Sequence, residues 1–143
     1  MTGRPASPDD IDAICRALPL VELGSSWGDR PTYKVMSTPK GRGFVLYRKP
    51  SGTAIDPASG EPFTDLIVIT VPDADTKAAL VEDPATPFFT VPHFDERNSV
   101  LVQLSRLGEL GRDRLEEILT EAWAAVAPKD AVDAYFAGRP APD

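Results

Sequence analysis

Leu66-Ile67-Val68-Ile69-Thr70-Val71 is apolar at consecutive positions rather than at alternate ones. A strand of this kind needs cover on both faces, which places it inside a sheet and not at its rim. The rest of the chain must therefore supply neighbouring strands and two covering layers. Val100, Val102 and Leu104 alternate with Ser99, Leu101 and Gln103 and predict a second strand with one face toward the core. Tyr33 to Met36 and Gly43 to Lys49 predict two more, joined as a hairpin by Ser37-Thr38-Pro39-Lys40-Gly41-Arg42. Leu20 to Gly24 reads as a short additional strand.

Helices flank these strands. Ser7-Pro8-Asp9-Asp10 is a helix start, with a capping serine, proline at the first position and acids facing the positive helix end. Ile11, Ile14, Cys15 and Leu18 follow as one apolar stripe, and Pro19 stops it. Asp73 caps a short helix running to about Val81. The spacing of Leu115, Ile118, Leu119, Ala122, Trp123 and Val126 predicts a long helix from Arg112 to Ala127 with Trp123 in its core stripe. Pro128 opens a last helix, Lys129 to about Ala137, expected to bury Val132, Tyr135 and Phe136. Two segments carry no periodicity: the loop Ser51–Pro62, read as mobile or functional, and a turn region from Ser105 to Gly111.

This order, helix–strands–helices, predicts a single α+β domain spanning residues 1–143 with an ordered core of about 7–137. Its 15 prolines fall mostly between periodic segments and act as punctuation. No apolar run is long enough to span a membrane, and the first residues lack the apolar stretch of a secretory signal. With one cysteine there is no internal disulfide, so a cytoplasmic location is expected.

The chemistry-bearing residues are few. Cys15 and His93 are the only soft or imidazole ligands, too few for a zinc site. Cys15 reads as a small buried hydrophobe; a Cys15–His93 nucleophile pair would require that thiol to be exposed. No phosphate-cradling glycine motif and no nucleophile elbow is present. Asp9-Asp10-Asp12 and Asp73-Ala74-Asp75 lie at helix starts, where carboxylates complement the dipole. Neither catalysis nor a cofactor is expected.

Charge is unevenly distributed. Arg30, Lys34, Lys40, Arg42, Arg48 and Lys49 fall between Arg30 and Pro50 without a single acid, while the remaining nine cations face 22 acids. A cationic hairpin flanked by Tyr33 and Tyr47 could lie along a phosphate backbone like a wing. The competing reading is that these charges pair with the protein's own carboxylates or guard a sheet edge. A rival site uses Trp27, Tyr47, His93 and Phe94 as the wall of a small-molecule or protein-binding pocket. Trp27 would otherwise be a lid on the core, and His93 a hydrogen-bonded fastener of its turn.

Trp27-Gly28, Phe88-Phe89, Pro92-His93-Phe94-Asp95, Val100-Leu101-Val102, Ala122-Trp123 and Ala127-Pro128-Lys129, in that order, resemble the MmcQ/YjbR family. The resemblance runs from about Ile11 to Phe136. It implies a CyaY-like fold, with an antiparallel sheet and helices from both chain ends on one side. Its members are small bacterial proteins commonly labelled DNA-binding, and it brings no catalytic residue set. Glu96 stands where the family pattern has glycine, and Ser51–Pro62 looks like an extension of the hairpin region. The analogy to frataxin-like folds raises iron as an alternative ligand, although the first helix lacks a dense acidic face.

Overall fold

The computed structural model describes residues 4–26, 30–48, 54–91 and 97–137. Helix α1 (Pro8–Ala17) leads into five strands, β1 (Val21–Ser26), β2 (Arg30–Val35), β3 (Arg42–Tyr47), β4 (Leu66–Thr70) and β5 (Ser99–Gln103), with α2 (Ala74–Val81) between the last two. A 3-10 helix, Leu104–Glu109, then leads to α3 (Arg112–Val126) and α4 (Lys129–Ala137). The strands form one antiparallel sheet in the order β1-β2-β3-β4-β5. The segment read as a turn after β5 is thus helical, and β4 is interior, as its two apolar faces require.

Alternation sorts the strand residues onto two layers. Tyr33, Val35, Val45, Ile67, Ile69, Val100 and Val102 join Ile11, Ile14, Leu115, Leu119 and Trp123 in the main core, so the helices cover this face. Trp123 is fully enclosed, and its indole N–H donates to the Pro19 carbonyl at 2.9 Å. Cys15 is also enclosed, and burial, with Asp12 nearby, pushes its thiol up to about 12. It therefore packs as an apolar group at neutral pH.

The opposite face carries a second, smaller core of Ala54, Phe63, Leu66, Val68 and Leu101, flanked by Leu46, Phe89 and Val91. The described part of the 51–62 loop supplies this cover. Ile55 and Pro62 form a bridge, Phe63 N–H donates to Ala54 O at 3.1 Å, and Phe63 packs on Phe89 at 5.3 Å. One expectation about the last helix is corrected. Val132 and Tyr135 pack against the core, but Phe136 is 49% exposed, because the helix turns it away from Trp123.

Two devices fix α1. Asp10 accepts the Ser7 N–H at 2.8 Å and is gripped by both guanidinium nitrogens of Arg4. Arg4 in turn belongs to a short extended segment tied to the start of α3, with Arg112 N–H donating to Arg4 O at 2.9 Å. On the sheet side, Tyr33 donates to Asp12 Oδ1 at 2.6 Å, and Arg16 binds the same oxygen at 2.7 Å. Tyr33→Phe is expected to cost about 1 kcal/mol, read as a lowered urea midpoint at unchanged denaturant slope.

Candidate anion-contacting surface

The register decides where the hairpin cations go. β2 and β3 are the second and third of five strands, so the hairpin is built into the sheet and only its loop projects. Val35 faces Arg42 and Thr32 faces Leu46, with a bulge after Tyr33 that turns both Phe44 and Val45 into the main core. Arg42 therefore sits beside the 36–41 loop, together with Lys40 in the loop and Lys34 just before it. Arg30, at the start of β2, and Arg48, just after β3, belong to the opposite end of the sheet. Five residues of extended chain separate the two ends by roughly 17 Å. A cluster continuous in sequence is thus split in space.

Within the loop end the three cations differ. Lys40 and Arg42 are exposed, whereas Lys34 is half-buried. Gly41 closes the loop at φ +70°, donating to the Thr38 carbonyl at 3.0 Å. A Cβ there would stand 2.6 Å from Met36 Sδ and 3.1 Å from Lys34 Cβ, so the close turn that presents Lys40 requires glycine.

Six other cations are held by carboxylates: Arg4 by Asp10, Arg16 by Asp12, Arg106 by Glu109, Arg112 by Glu116, Arg114 by Glu117 and Lys129 by Asp133. Lys34, Lys40 and Arg42 make no ion pair among the described residues. This contrast was not readable from the sequence, where acids and bases alternate along the helices without showing which pairs meet.

The aromatic residues expected to flank the hairpin do not share its outer surface. Tyr33 is buried on the helix face, and Tyr47 is half-buried beside it, ring centroids 6.2 Å apart. Burial raises both phenols above the ordinary range, and for Tyr33 the bond to Asp12 adds to the effect. Neither ring is placed to stack on a base. Of the rival pocket, Trp27, His93 and Phe94 lie outside the described residues, as does Lys49 of the cationic set, and Arg30 is placed by its backbone alone. A groove of about 310 Å³ lies elsewhere, at the β5 side of the second core, between Asp56, Phe63, Thr86, Phe89, Gln103 and Arg106. None of the candidate binding residues lines it, although Phe88-Phe89 of the family pattern and Asp56 and Pro57 of the 51–62 loop do. As a groove it was not legible in advance, because Phe63 and the Phe88-Phe89 pair are far apart in the chain and are brought together only by the fold.

No described helix is long and apolar enough to cross a membrane. The architecture defines a small mixed α/β domain with one antiparallel sheet and helices from both chain ends on a shared face. The chain belongs to the YjbR family, whose model matches residues 16–125. Among its relatives, the uncharacterized proteins Mb2600 of Mycobacterium bovis and Rv2570 of Mycobacterium tuberculosis are each 35% identical over 133 residues, covering 92% of this chain and 97% of theirs. No solved structure matches the chain significantly.

Proposed function

We propose that the protein is a non-catalytic binding module that contacts phosphate groups of nucleic acid through the 36–41 end of the sheet. The observation that supports this is the pairing contrast. Six cations elsewhere are held by neighbouring carboxylates, while Lys40 and Arg42, with Lys34 behind them, pair with none among the described residues. With neither a stacking ring nor a recognition helix at this end among the described residues, the contact reads the backbone and not the base sequence. Three phosphate contacts at most give a salt slope near −2.7, or about a 40-fold loss of affinity between roughly 50 and 200 mM salt.

A labelled duplex titrated at those two salt concentrations tests this. Wild type should bind weakly with that slope, and Lys40→Glu/Arg42→Glu should abolish binding while leaving the circular dichroism spectrum unchanged. Equal binding by both proteins, or binding by neither, removes the reading.

A further inference from the structure

The two outer strands of the sheet are treated differently. β5 is partnered beyond the sheet, because Phe89 and Leu101 exchange N–H···O bonds in both directions at 2.9 Å. β1 has no such partner among the described residues. An open edge presents backbone donors and acceptors that fit another extended strand, and sheets usually guard such edges with lysine, proline or a bulge. Val21-Glu22-Leu23-Gly24 contains neither lysine nor proline, and the sheet's irregularity lies between β2 and β3 instead. Leu23 is 42% exposed on the helix side of this strand.

On the other side Gly24 leaves a gap, and the Lys34 side chain lies in it. Lys34 Cδ and Cε pass 3.6 and 3.7 Å from the place a Gly24 Cβ would occupy. Glu22, directly opposite Lys34 in the ladder, makes no ion pair with it. A cation thus reaches over an outer strand whose own first four residues carry one carboxylate.

We infer that β1 pairs antiparallel with β1 of a second copy, about a two-fold axis at Leu23. That register sets Leu23 against its own symmetry mate and Glu22 against the second copy's Gly24. Because Lys34 lies over Gly24, each Glu22 then meets the second copy's Lys34. The interface is isologous and self-complementary: one apolar pair on the helix side, two ion pairs on the other, and a backbone ladder between. The second copy is the occupant because this charge complementarity is between β1–β2 and itself. The pairing shares Lys34 with the phosphate contact but does not use Lys40 or Arg42, so substitutions at those two residues tell the two readings apart.

Sedimentation equilibrium over a concentration series tests it, with circular dichroism as the folding control. Wild type should show a monomer–dimer equilibrium. Leu23→Lys and Glu22→Lys should each weaken association about tenfold or more, equivalent to about 1.4 kcal/mol. The charge swap Glu22→Lys/Lys34→Glu should restore it, and Lys40→Glu/Arg42→Glu should leave it unchanged. A wild type that stays monomeric at every concentration overturns the inference. So does a dimer indifferent to both single substitutions, or a swap that fails to rescue.

Discussion

Trp123→Ala should lower stability by about 3–5 kcal/mol, the range for truncating a large aromatic in a closed core. On a chain of this size the melting temperature should fall on the order of 10 °C. Trp123 is fully enclosed between α1, the sheet and Tyr135, whose ring centroid is 5.1 Å away. Its loss removes packing from three elements at once and strips the Pro19 carbonyl of its donor. Trp123→Phe separates the two contributions: it keeps most of the volume but loses the N–H, and should cost about 1–2 kcal/mol. Calorimetry on the two variants is the check. A Trp123→Ala protein melting within about 2 °C of wild type would mean that the site collapses freely around the gap.

Asp10→Ala should cost about 1–2 kcal/mol near neutral pH, the upper part of the range for a helix cap. The carboxylate is buried, and it links α1 to Arg4 and hence to the start of α3. Hydrogen bonds from Arg4, then from Ser7, hold its carboxyl well below the usual range, against a smaller opposing effect of burial. A depressed carboxyl stabilises the fold above the unfolded value of roughly 3.9 and loses that contribution as pH falls toward its folded value. The gap between wild type and Asp10→Ala should therefore be full at pH near 7, begin to close below about 4, and nearly vanish in strong acid. Urea midpoints at three pH values measure it. A gap independent of pH would assign the cost to helix propensity and not to the ionised pair.

The element boundaries were largely legible because their signals are local. Ser7-Pro8, Asp73 and the Leu115–Val126 stripe each act within a few residues, and the structure places α1, α2 and α3 accordingly. What escaped depends on contacts between distant residues. Asp12 meets Tyr33 across 21 positions, and nothing in either neighbourhood announces it. The 54–63 segment reads as a connection because proline and glycine punctuate it, yet Ala54 and Phe63 pack with Leu66, Val68 and Leu101 on the second face of the sheet. Phe136 follows Tyr135 by one position, so a helix that seats Tyr135 against Trp123 turns Phe136 outward. The cationic segment is the sharpest case. An antiparallel hairpin sends its middle to one end of the sheet and its two flanks to the other, so charge density along the chain overstates charge density in space.

The placement of Trp123 also bears on the order in which the molecule is made. All five strands leave the ribosome before α3 does. The sheet face with Val35, Val45, Ile67 and Ile69 then has only α1 to cover it until α3 arrives to complete the core. A nascent chain stalled short of residue 112 is expected to expose that part of the apolar face which α3 covers in the finished fold.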